Sequence, residues 1–161
     1  MRINTRVIYA AIFVACAAMF AFALFYLQET KGLDPCPMCI LQRYAFVAIG
    51  AIALIAAIHG PAAMGRKVYS GLIALFAIAG AGVAIRHSYL QHFPPKMETC
   101  GSDLEFLLNA FPLSQAFPKI FAGTGSCSKV DWTFIGLSIP EWALVWYVIF
   151  AAVALWVALR K

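Results

Sequence analysis

The sequence predicts an all-α membrane protein, a polytopic four-helix bundle with two outward loops, and three observations carry that prediction. The 161 residues are 63% hydrophobic and only 12% charged, whereas a soluble domain is roughly half apolar and about a quarter charged. Four runs of 18 to 22 residues carry no charge at all. The charges that remain are sorted by sign into different connecting segments.

In chain order, the uncharged runs predict helices over about 7–27, 44–63, 68–86 and 142–159. Each approaches the roughly 20 residues needed to cross a hydrocarbon core of about 30 Å. A helix is the expected conformation, because a segment surrounded by lipid must satisfy its backbone hydrogen bonds internally. The first run is long and lacks a small-residue cleavage site near Leu27, so it reads as a retained span and not as a signal peptide.

Arg2 and Arg6 precede the first span, Arg66 and Lys67 separate the second from the third, and Arg160 and Lys161 follow the fourth. All seven carboxylates (Glu29, Asp34, Glu98, Asp103, Glu105, Asp131 and Glu141) fall in or beside the other two loops. Because Lys and Arg concentrate in cytoplasmic loops, both termini are expected inside, with loops 28–43 and 87–141 outside. The net charge of +5 is then a signal of orientation in a lipid bilayer, and no nucleic-acid partner is expected.

The second outer loop is punctuated. Its segment "HSYLQHFPPKMETCGSD" has a Pro-Pro break that favours extended chain before Cys100. The following "LEFLLNAFPLSQAFPKIFAG" is apolar yet cut by Pro112 and Pro118, which predicts a short helix lying at the lipid surface. "GTGSCSKVDW" then supplies a Gly-rich turn holding Cys127.

Four of the five cysteines, Cys36, Cys39, Cys100 and Cys127, lie in these outer loops. In a bacterium that side is the periplasm, where disulfides form and persist. Cys16 sits mid-span among Ala, Met and Phe and reads as a small packing residue.

The cysteines allow four chemical readings. Structural staples suit Cys100 and Cys127, where closing a long loop is worth roughly 3 to 4 kcal/mol, but not the adjacent Cys36 and Cys39. A zinc cage normally takes two close pairs, whereas Cys100 and Cys127 stand 27 positions apart, so no metal is expected. A thioredoxin-type enzyme is suggested by "CPMC", although that motif belongs to a βαβ context and here an apolar span follows. The fourth reading is an electron relay, in which two pairs on neighbouring loops pass electrons by thiol–disulfide exchange.

The order of parts carries a resemblance over nearly the whole chain. "PCPMCILQR" follows the first span, "RHSYLQHFPP" and "TC" follow the third, and "FPKIFAGTGSCSKVDWTFIGLSIPEW" leads into the fourth. In this combination the chain resembles the bacterial DsbB family of disulfide-bond formation proteins. The DsbA, DsbB and quinone relay is the known device that keeps the bacterial periplasm oxidising.

The resemblance implies an inner-membrane enzyme in which Cys100 and Cys127 form the disulfide that accepts electrons from a DsbA-like periplasmic thioredoxin-fold oxidase. Cys100 would join the mixed disulfide. Cys36 and Cys39 would pass the electrons to the quinone pool, as ubiquinone or menaquinone, with Cys39 facing the ring and Cys36 exchanging with the long loop. An oxidant of that kind is needed, since DsbA lies near about −120 mV and stable structural disulfides lie below about −300 mV.

Arg43 stands four residues after Cys39, one turn along if the helix has begun, where a cation could favour thiolate and stabilise charge on a quinone oxygen. Its other reading is an arginine that snorkels to the interface. His87 matches a family histidine and could hydrogen-bond a quinone, or serve as a structural polar contact. Two further functions stay open: a non-catalytic scaffold with structural disulfides, and a vitamin K epoxide reductase-like enzyme, whose CxxC belongs with a late helix.

Overall fold

The computed structural model describes residues 4–33, 35–94, 127–128, 130 and 132–160. The segment expected to form the interfacial helix, and Cys100, lie outside the described residues. Among the described residues, four helices are long and apolar enough to cross a membrane: Thr5–Thr30, Pro37–His59, Ala63–His92 and Ile139–Leu159. They form the expected all-α bundle, in which α1 packs on α2, α2 on α3, and α3 most extensively on α4.

Helix α1 (Thr5–Ala21) starts at Asn4, whose side chain accepts the Arg6 amide, and runs without a break into a π-helical segment, Phe22–Thr30. Gly32, at φ 64°, then turns the chain out of the helix in a conformation that L side chains rarely adopt. Helix α2 (Pro37–His59) begins seven residues before the charge-free run does, because Cys36 caps it and Pro37 occupies its first turn. Counting uncharged residues stops at Arg43, yet the helix accommodates that arginine by pairing it with α1. Gly60, at φ 59°, ends α2, and a short turn leads into α3 (Ala63–His92), which continues past Arg86.

Before the last helix, β1 (Thr133–Phe134) and β2 (Leu137–Ser138) form a small antiparallel hairpin. Its two turn residues, Ile135 at φ 54° and Gly136 at φ 79°, both have positive φ, as tight hairpins require. Helix α4 (Ile139–Leu159) is then started by Glu141, whose carboxylate accepts the Ser138 amide at 2.7 Å and hydroxyl at 3.1 Å. The same carboxylate takes a hydrogen bond from Ser88 at 3.4 Å and lies 3.7 Å from His92, tying the outer ends of α3 and α4.

The core is built from small residues that let helices approach closely, with Ala53, Ala56, Ala77, Ala84 and Ala154 fully buried. Cys16 belongs to this core, beside Gly50, where an added Cβ would come within 3.2 Å of the cysteine Cβ. Tyr147 is the central large side chain: it stacks on Phe46 at 4.4 Å and donates to the Gln42 carbonyl at 2.7 Å. At the other end, the Tyr9 hydroxyl meets Ser70 at 2.8 Å and donates to the Arg66 carbonyl, while Arg66 donates to the Arg160 carbonyl. The outward faces of the spans are apolar, as at Ile58, Leu75 and Ile78, which suits contact with lipid tails.

Candidate functional site

The first turn of α2 assembles the chemistry. Cys36 is the residue that caps the helix: its sulfur accepts the Cys39 amide at 3.4 Å, and the two sulfurs stand 3.1 Å apart. This is the place where a helix offers unpaired N–H groups and partial positive charge, which favour electron-rich sulfur.

Two other segments converge on Cys36. Cys127 is fully buried and hydrogen-bonds with it, and His87 of α3 places Nε2 3.6 Å from its sulfur. The other ring nitrogen, Nδ1, faces the amide nitrogen of Gln42 at 3.4 Å. With the amide donating there, Nδ1 accepts and Nε2 carries the proton, and the ring also hydrogen-bonds the Cys127 backbone. Cys36 lies just outside the spanning helices, and its hydrogen bond to Cys127, its contact with Cys39 and its burial push its thiol well above the usual range.

That shift has a direct consequence. In the fully reduced protein, Cys36 should resist alkylation in the pH range where an ordinary thiol, near about 8.5, ionises. A folded pKa above the unfolded value also means stability that is present below the ordinary thiol range and lost as pH rises through and beyond it. Iodoacetamide labelling against pH, read by mass spectrometry, checks the first point. Cys127→Ser should lower the onset, and an onset unchanged by it would remove Cys127 as the main cause.

Cys36 and Cys39 open onto a cavity of about 400 Å³ between α1, α2, the hairpin and the start of α4. Its polar lining is these sulfurs with Gln42, Arg43, His87 and Gln91; the rest is apolar and rich in aromatic rings, including Phe22, Phe46, Trp132 and Trp146. The wall is held by ring contacts, with Trp132 lying parallel to Phe134 at 5.9 Å and tilted against Phe22 at 5.9 Å. Trp142 donates its indole N–H to the Phe134 carbonyl at 3.0 Å and so fixes the hairpin to α4.

Arg43 lines the same cavity, but its guanidinium is already engaged. It donates to the Gln28 side chain at 2.8 Å and to the Ala23 carbonyl at 3.4 Å, both in the π-helical part of α1. The wide turn of that segment is what lets α1 present a carbonyl and an amide to α2 at one level; π-helical turns are frequent at functional sites.

A family profile described as Disulfide bond formation protein DsbB matches residues 5–157. This chain belongs to the DsbB family. It is 51% identical over 158 residues to Disulfide bond formation protein B of Aromatoleum aromaticum, covering 98% of this chain and 95% of that protein. The protein of the same description from Azoarcus sp. is 50% identical over 153 residues, covering 95% and 92%. That of Saccharophagus degradans is 48% identical over 151 residues, covering 93% and 90%.

As a DsbB-family member, the chain is a disulfide bond formation protein, a disulfide oxidoreductase built on membrane-spanning helices. Of the residues singled out in its sequence, Cys36, Cys39, Cys127 and His87 come together, and Arg43 borders the same cavity. Sequence reasoning passed over Gln42, which stands beside Arg43 and reads as part of the loop before the second span. It also passed over Gln28 and Trp132, whose roles depend on contacts with distant segments.

Proposed function

We propose that this DsbB-family protein reoxidises a DsbA-like periplasmic thioredoxin-fold oxidase and delivers the two electrons to a membrane quinone. The observation that carries the reading is a continuous run of sulfurs, Cys127 to Cys36 to Cys39, ending at an apolar cavity. The chain would lie in the inner membrane with both termini cytoplasmic and these cysteines periplasmic, as the distribution of Lys and Arg supports.

The exchange proceeds by thiolate attack on sulfur, one bond forming as another breaks. A thiolate of the reduced partner attacks Cys100 of a Cys100–Cys127 disulfide and releases Cys127 as a thiolate. Cys127 then attacks Cys36 of a Cys36–Cys39 disulfide, which releases Cys39 as a thiolate at the cavity. The partner's second thiol frees Cys100, which takes back Cys127 and leaves Cys36 and Cys39 reduced. A bound quinone would supply a two-electron, two-proton acceptor, and its reduction restores the Cys36–Cys39 bond.

The cavity suits such a ring. Its volume lies in the range of small-molecule pockets, about 300–1,000 Å³, and its lining combines apolar and aromatic side chains with a few polar ones. There Arg43 offers fixed positive charge to a ring oxygen, held in place by Gln28 and Ala23. Either ubiquinone or menaquinone fits this description.

The test is to give the purified full chain reduced DsbA with and without added quinone, and to follow partner thiols and quinone absorbance together. Equal loss of dithiol and quinone is expected. Failure to oxidise the partner with the cysteines intact overturns the reading in favour of a non-catalytic scaffold. Arg43→Ala should lower kcat/KM for quinone on the order of tenfold or more while the helices stay formed. An unchanged quinone dependence would leave Arg43 as a helix-to-helix tie.

A further inference from the structure

Three metal-binding donors from separate parts of the chain meet beside the cavity. The sulfurs of Cys36 and Cys127 and a ring nitrogen of His87 lie within 4.8 Å of one another, and all three residues are buried. Two thiolates and an imidazole are the ligand set of thiophilic divalent cations. Around Zn²⁺, bonds of about 2.3 Å to sulfur and about 2.0 Å to nitrogen at a tetrahedral angle separate the two donors by about 3.5 Å. The Cys36 sulfur and His87 Nε2 are 3.6 Å apart.

The surroundings also suit a ligating histidine. Such a ring usually donates its other N–H to a fixed acceptor. Gln42, 4% exposed and 3.4 Å from Nδ1, has an amide oxygen as well as an amide nitrogen, so turning its amide serves the tautomer in which Nε2 is free to bind.

We propose that the reduced protein binds Zn²⁺ through Cys36, Cys127 and His87, with a fourth position open to water, and that this occupancy holds the relay in its reduced state. Binding releases the two thiol protons to solvent and moves no electrons. The site exists only while both sulfurs are reduced, because a disulfide at either one removes the thiolate ligand. Metal and oxidant therefore compete for the same two atoms. Holding the relay reduced rests on the function proposed above, whereas binding of the cation is read without any electron acceptor.

The experiment titrates Cd²⁺, a spectroscopic substitute for Zn²⁺, into the full chain reduced with a phosphine, and follows the ultraviolet cadmium–thiolate band. One equivalent should bind, with excess Zn²⁺ displacing it and slowing alkylation of Cys127 at least about tenfold. Cys127→Ser should abolish the band, and His87→Ala should weaken affinity at least about tenfold. His87→Cys, which keeps a donor at that position, should retain binding with a stronger band, and circular dichroism of each variant separates lost ligation from lost fold. Cys39→Ser and Cys100→Ser should keep the site. A band insensitive to His87→Ala, or one lost in Cys39→Ser or Cys100→Ser, overturns the proposal.

Discussion

Replacing Cys39 by serine is expected to abolish quinone reduction while Cys100 still traps the partner as a mixed disulfide. Cys39 is the sulfur that both touches Cys36, at 3.1 Å, and lines the cavity. A hydroxyl of nearly the same size keeps the packing but cannot form or break a sulfur–sulfur bond. The cap of α2 should survive, because it is made by the Cys39 backbone amide and not by the Cys39 side chain. The rate of quinone loss should fall by about a thousandfold or more, and non-reducing electrophoresis with reduced DsbA should show the covalent complex. A variant that reduced quinone at the normal rate would take Cys39 out of the terminal position.

Gly80→Ala is expected to cause a large loss of stability for a single methyl group. A Cβ at this position of α3 would lie 2.5 Å from two carbons of the Tyr147 ring and 3.0 Å from a third. The ring has nowhere to go, since it is fully buried, stacked on Phe46 at 4.4 Å, and tethered through its hydroxyl to the Gln42 carbonyl at 2.7 Å. Overpacking of this kind costs roughly 1–3 kcal/mol, and loss of the buried hydrogen bond adds about 1 kcal/mol. Gly71 is the control, because an added Cβ there meets nothing within 4 Å. Gly71→Ala should be neutral or gain a few tenths of a kcal/mol up to about 1 kcal/mol of helix propensity. Thermal melting in detergent checks both, and equal midpoints for the two variants would contradict the packing of Tyr147.

The four spans and the reactive pair were legible because both are written in local sequence. Length without charge identifies a span, and "CPMC" beside one is conspicuous. Helix starts were less legible. Arg43 reads as the end of a loop until Gln28 and Ala23 are seen to receive its guanidinium across 15 and 20 positions of chain. The link from Tyr147 to Gln42 spans 105 positions and leaves no periodic trace. The same holds for the aromatic wall: Trp132 and Phe134 read as loop residues, and only the hairpin lays them against Phe22 and α4.

Cys36 combines two duties in one atom: it is the acceptor that begins α2 and the sulfur placed to change bonding partners. The Cys39 amide therefore reports on sulfur chemistry from the backbone. Its hydrogen-bond acceptor is richest in electrons as a thiolate and poorest in a disulfide, so each redox exchange at Cys36 alters the protection and chemical shift of one N–H. Electron flow through this protein can thus be watched at a single amide, with no added probe and no dependence on the colour of the acceptor.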